Sequence, residues 1–164
     1  MEAKKIAKVL GVKIQVVEMI INESTIISQL TTPEEARRLY YGTCPVSMQS
    51  AVIEKWEKLV KKAIPQLTTS EEARKLYNNC LVSMQSAVIE KWKELVKEAI
   101  PQLTTPEDAR ELYNNCLVSM KPVVIEKWKE LAIPQLTTPE EARRLYDTCP
   151  VSMQFAVIKA MTNL

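Results

Sequence analysis

Residues 64–95 read IPQLTTSEEARKLYNNCLVSMQSAVIEKWKEL, and residues 100–131 read IPQLTTPEDARELYNNCLVSMKPVVIEKWKEL. Of these 32 aligned positions only six differ: Ser70/Pro106, Glu72/Asp108, Lys75/Glu111, Gln85/Lys121, Ser86/Pro122 and Ala87/Val123. Further copies run from Ile27 to Ala63 and from Ile133 to Leu164. A period of roughly 36 residues is the signature of tandem supersecondary units, each too small to cover its own apolar face and therefore stacked on its neighbours.

One copy can be read residue by residue. In Thr32-Pro33-Glu34-Glu35 the threonine hydroxyl can cap free amides, proline fits the first helical position and Glu35 completes a capping box three residues on. The same start recurs at Thr69, Thr105 and Thr138. A short helix follows, with Ala36, Leu39 and Tyr40 on one face, and it stops ahead of Pro45, which disfavours helix in the preceding residue. A long helix comes next. Pro122 is tolerable only in its first turn, which places the start near Ser119 and makes Ser47, Ser83 and Ser152 the equivalent caps. At ~100° per residue, Met48, Val52, Trp56, Leu59 and Ala63 share one stripe. Glu54, Glu57, Lys58 and Lys61 lie opposite, spaced for Glu54–Lys58 and Glu57–Lys61 pairs.

The expected fold is all-α: short-helix/long-helix hairpins in tandem, stacked into a small solenoid or a curved bundle. The expected units are 1–26, a degenerate N-terminal capping repeat; 27–63, 64–99 and 100–132, three full repeats; and 133–164, a truncated C-terminal repeat. The first assignment rests on Glu2-Ala3-Lys4-Lys5-Ile6 matching Glu35-Ala36-Arg37-Arg38-Leu39, and Val12-Lys13-Ile14-Gln15 matching Val46-Ser47-Met48-Gln49. In the last copy Met161 stands where the others have Trp56, Trp92 and Trp128, which is expected to leave apolar surface bare. Repeat three lacks the counterpart of Val96-Lys97-Glu98, a loss worth ~60° of helix phase and ~4.5 Å of rise.

Composition narrows the functional classes. The 164 residues carry a formal net charge of +2, a weaker basic bias than dedicated nucleic-acid binders usually show. There is no histidine, there are only two glycines, and the paired carboxylates are explained by helix starts. The expectation is a non-enzyme with no cofactor and no metal. Cys44, Cys80, Cys116 and Cys149 hold one equivalent position per repeat, 36, 36 and 33 residues apart. Equivalent atoms of stacked helical repeats lie ~8–10 Å apart, too far to bridge, so small, partly buried thiols in a reducing, cytoplasmic setting are expected. The N-terminal stretch has no apolar signal core and no apolar run approaches the ~18 residues of a membrane span, so no membrane partner is expected.

Two resemblances bear on partners. IAKVLGVKIQVVEMI, residues 6–20, resembles the helix-turn-helix of DNA-binding regulators, with Ala7, Gly11, Val17 and Ile20 at its small, turn and apolar positions. The resemblance implies a recognition helix offering Lys13, Gln15, Glu18 and Met19. LTTPEEARRLYYGTC resembles the opening of TAL-effector-type DNA-binding repeats, whose inter-helix dipeptide reads one base per repeat. The matching dipeptides here are Gly42-Thr43, Asn78-Asn79, Asn114-Asn115 and Asp147-Thr148, without that family's glycine-rich loop. Together the two resemblances imply a nucleic-acid partner, met through Lys13 and Gln15 of the helix-turn-helix-like segment or through these dipeptides, with Arg37, Arg38, Arg74, Arg143 and Arg144 on phosphates. The leading expectation is instead a scaffold for a protein, a peptide or its own copies. Its candidate contacts are Asn78, Asn79, Asn114 and Asn115 between helices, and Phe155, Ile158, Met161 and Leu164 at the last one.

Overall fold

A computed structural model describes residues 3–164 apart from Gly11, and apart from the side chains of Ile6 and Leu10. All of the regular structure among the described residues is helical. The α-helices are α1 (Ala3–Leu10), α2 (Ile14–Gln29), α3 (Pro33–Tyr41), α4 (Val46–Ala63), α5 (Ser70–Asn79), α6 (Gln85–Ala99), α7 (Pro106–Asn115), α8 (Lys121–Ala132), α9 (Pro139–Thr148) and α10 (Val151–Met161). Each Ile-Pro-Gln segment, 64–66, 100–102 and 133–135, is a single 3-10 turn.

The chain falls into two compact units, one formed by residues 1–66 and 76–86, the other by 67–75 and 87–164. The division runs through the second repeat instead of between repeats. Hydrogen bonds from the flanking repeats follow the same division. In the first unit the Trp56 indole N–H donates to the Asn79 carbonyl at the end of α5, at 2.8 Å. In the second, Ser70 at the start of α5 donates to the Asn115 carbonyl at 2.7 Å, and the Trp92 indole N–H reaches both Ser70 Oγ (2.7 Å) and Asn115 O (3.0 Å).

The helix starts follow the sequence closely. Thr32, Thr69 and Thr138 each accept the amide of the glutamate three residues on, and that glutamate turns back to accept the threonine's own N–H. The preceding threonine adds two donors, its N–H and its hydroxyl, so that one carboxylate oxygen is held by three groups at 2.8–3.2 Å. In the third repeat Thr105 still caps the Asp108 amide at 3.2 Å, but the shorter aspartate side chain makes no return bond to the threonines among the described hydrogen bonds.

Those donors favour the ionised carboxylate, first of all the Thr31, Thr68 and Thr137 N–H groups, and hold Glu35, Glu72 and Glu141 below the ordinary value of 4.5. A carboxyl whose value is lowered on folding stabilises the fold above its unfolded value, and that stability is lost as pH falls through the folded value. Urea titrations should therefore show stability insensitive to these groups near neutrality and declining below about pH 4.5. The Glu35→Gln/Glu72→Gln/Glu141→Gln variant should be less stable at pH 7 and show a shallower acid decline. An unchanged decline would refute this assignment.

The long helices correct one expectation. Ser47, Ser83, Ser119 and Ser152 are not N-caps. α4 and α10 begin one residue earlier, after Pro45 and Pro150 in extended backbone (ψ 147° and 149°), with no side-chain cap. α6 and α8 are entered through 3-10 turns at Val82–Met84 and Val118–Met120, after extended Leu81 and Leu117. In all four the first backbone bond runs from the methionine amide to the carbonyl of that extended residue, at 2.8–2.9 Å, which bypasses the serine. Ser47 donates instead to Glu23 at 2.8 Å. Pro122 does fall in the first turn of α8.

The buried stripe is the expected one. Val52, Val88, Val124 and Val157 are fully enclosed, as are Ala36, Ala73, Ala109 and Ala142 on the short helices, and the three tryptophans are 1–5% exposed. α8 is three residues shorter than α6, 12 against 15. Ala132 takes the buried position of Val60 and Val96, so the residues are lost beyond the packed stripe and not from within it. Neither Glu54–Lys58 nor Glu57–Lys61 is among the ion pairs of the described residues. On α6 and α8 the pairs are i,i+3, Lys93–Glu90 at 2.8 Å and Lys129–Glu126 at 2.9 Å, solvent-exposed contacts that contribute little.

α3 ends at Gly42, whose N–H donates to Arg38 O at 3.0 Å. A Cβ there would lie 2.7 Å from that same backbone oxygen, so this position has no room for a side chain.

Candidate interaction surface

α10 is apolar on more than one side, and part of its apolar surface is packed while part is open to solvent. Met153 and Val157 are fully buried against α8 and α9 in a cluster with Ala109, Ile125, Trp128, Ala132, Ala142 and Cys149. Ile125 and Trp128 are 6% and 3% exposed because α9 and α10 cover them. Their counterparts one repeat on, Ile158 and Met161, are 46% and 36% exposed. Phe155 and Leu164 are also open to solvent. Thus all four apolar candidates are accessible on one short helix and the residues just after it, whose single charge is Lys159.

The inter-helix asparagines divide differently. Asn78 and Asn114 are exposed, whereas Asn79 and Asn115 are half-buried. The carbonyls of Asn79 and Asn115 are engaged by the indoles, and Asn115 Nδ2 donates to Glu111 O at 3.1 Å. The second member of each Asn-Asn pair thus contributes to packing between repeats, and the first remains available to a partner. Gly42, Thr43, Asp147 and Thr148 are exposed. A valine missed by periodicity stands nearby in every repeat: Val46, Val82, Val118 and Val151 are all about four-fifths exposed. Its recurrence in an otherwise polar connection was the available signal.

The basic candidates are spread along separate helices. Lys13 and Gln15 are exposed at the start of α2, and Gly11, the turn glycine of the helix-turn-helix resemblance, lies outside the described residues. α2 itself carries two carboxylates, Glu18 and Glu23, and no cation. Arg38 is paired with Glu34 at 2.7 Å, and the Arg37 guanidinium lies 5.8 Å from the centre of the Tyr41 ring. Arg74, Arg143 and Arg144 are exposed, each following the acidic first turn of its own helix.

α2 also has uncovered apolar surface. Val17 is its one buried residue among those described, while Val16, Met19, Ile20, Ile21 and Ile26 are each 40% or more exposed. Its low charge, two ionisable residues in sixteen, was a legible warning. The Glu23–Ser47 hydrogen bond ties α2 to α4, and two clefts of about 430 and 390 Å³ meet at this pair. One is lined by Ile20, Ile27 and Ala51, the other by Met19, Ile26 and Leu39, with Met48 common to both.

The four thiols are unbridged. Cys80, Cys116 and Cys149 are buried and donate to the carbonyls of Tyr77, Tyr113 and Tyr146. Burial pushes all four thiols up, aided at Cys44 by the charge of Glu23. Such thiols are poor nucleophiles and poor metal ligands. No cluster of metal-binding side chains occurs among the described residues, and none of their helices is long and apolar enough to cross a membrane.

No protein-family model matches the chain, and neither a curated protein nor a solved structure matches it.

Proposed function

We propose that this chain is a non-enzymatic helical-repeat scaffold whose hairpins stack as a small solenoid or curved bundle and whose uncovered helix faces bind protein. The observation that carries this reading is the contrast between Ile125 and Trp128, enclosed by the following hairpin, and Ile158 and Met161, the same positions left open. Exposed apolar side chains at positions that receive a helix in the preceding repeat are suited to dock one. Stacking is supported by contacts between successive repeats: Trp56 to Asn79, Trp92 to Asn115, and the cluster joining α8 to α9 and α10. The absence of histidine from the sequence and the engagement of Ser70 in a closed hydrogen-bond set speak for binding over chemistry.

The test combines sedimentation of the full chain over a concentration series with selection from a displayed library of helical peptides. Expected is self-association, enrichment of apolar helices, or both, in each case lost in Phe155→Asp/Ile158→Asp. A chain that stays monomeric and selects no peptide overturns the reading. Nucleic-acid binding is the competing outcome: a shift of random duplex at low salt that falls steeply with added salt would replace protein with phosphate as the ligand.

A further inference from the structure

α2 and α10 each carry several bare apolar side chains but are not alike, and their difference points to one occupant. α10 offers Phe155, Ile158 and Met161 with Lys159 as its single charge. α2 offers Met19, Ile20 and Ile26 beside two clefts, with Glu18 and Glu23 as its charges. Joining α10 to α10 would bring Lys159 of one copy toward Lys159 of the other, and joining α2 to α2 would oppose carboxylates. The unlike pairing brings Lys159 toward Glu18 and Glu23 while covering both apolar faces, and with Lys55 of α4 on the wall of one cleft the α2 side still keeps a net negative charge. Resting on the protein-binding reading above, we infer that the partner is a second copy of this chain, docked head to tail, with α10 of one copy lying along the clefts beside α2 of the next.

The size of the site suits this occupant. Clefts of about 430 and 390 Å³ admit large side chains such as Phe155 and Ile158. Glu23, half-buried where the clefts meet, already accepts from Ser47 and retains acceptor capacity for an incoming ammonium. Because the two faces differ, the contact is heterologous: a docked pair still presents one free α2 face on one copy and one free α10 face on the other. Association therefore does not stop at two copies unless a ring closes.

Two double variants change exposed residues only and block one face each, Met19→Asp/Ile20→Asp at α2 and Phe155→Asp/Ile158→Asp at α10. Sedimentation velocity on the native chain should show average mass rising past that of a dimer with concentration. Each variant alone should remain monomeric, with the helical circular-dichroism spectrum of the native chain. An equimolar mixture should form a 1:1 complex that grows no further, since each variant supplies the face the other lacks. Dimers of the α2-blocked variant alone would mean tail-to-tail pairing, and dimers of the α10-blocked variant alone head-to-head pairing; either overturns the inference. A native chain that stays monomeric yet selects helical peptides overturns it too and leaves the protein-binding reading standing. A monomer that selects none removes both.

Discussion

Replacing Trp92 by alanine is expected to remove about 3–5 kcal/mol of folding stability, measured by urea unfolding. The side chain is 5% exposed, so truncation leaves a large cavity that rigid helices close only in part. The loss also strips an N–H from a set of three groups. Ser70 Oγ and Asn115 O both accept from the indole, and Ser70 donates to Asn115, so the first residue of α5 and the last of α7 are held by one side chain. Trp92→Phe separates the two contributions. It keeps most of the packing, and because Ser70 and Asn115 still satisfy one another it should cost about 1–2 kcal/mol. An alanine variant within about 0.5 kcal/mol of native would show that the indole is not structural.

The second large effect comes from adding volume. Ala36, Ala73, Ala109 and Ala142 are fully enclosed, one per short helix. Ala109 sits in the cluster with Ile125, Trp128, Ala142 and Met153. Leucine there adds three carbons to a space with no solvent-facing exit, and Ala109→Leu should lower stability by about 1–3 kcal/mol or more. The neighbouring position supplies the control. Arg110 is exposed on the same helix, and Arg110→Leu should be nearly neutral. Equal urea midpoints for the two variants would contradict the packing described.

Much of this was legible in the amino-acid order. The inward turn of Trp56, Trp92 and Trp128 follows from their place on the 3.6-residue stripe, and the threonine-glutamate starts follow from hydrogen-bond stoichiometry at a helix end. The serine caps failed for a physical reason. Capping preference is weak beside the geometry set by the extended Pro45, Leu81, Leu117 and Pro150, whose carbonyls open the helix ahead of the serine. Ser70 stood out in sequence as the one departure from proline at its position, but its bond to a carbonyl 45 residues away cannot be read from a local pattern. The division through the second repeat is equally a matter of distant partners. At the candidate surface, the exposure of Ile158 and Met161 was readable because the repeat supplies its own control, their counterparts Ile125 and Trp128 being covered, whereas Phe155 stands at a position that is exposed in every repeat. The exposed apolar flank of α2 left only its low charge as a signal, since a helix start, a turn and a repeat alignment all competed to explain the same residues.

The indole bonds from Trp56 to Asn79 and from Trp92 to Asn115 each close a loop of 23 residues. Closing so short a loop is entropically cheap, and it needs only the hairpin just made and the one being made. Assembly of this molecule can therefore advance in step with synthesis on the ribosome, each new module locking onto its predecessor within tens of residues. Local contacts of this kind go with fast folding.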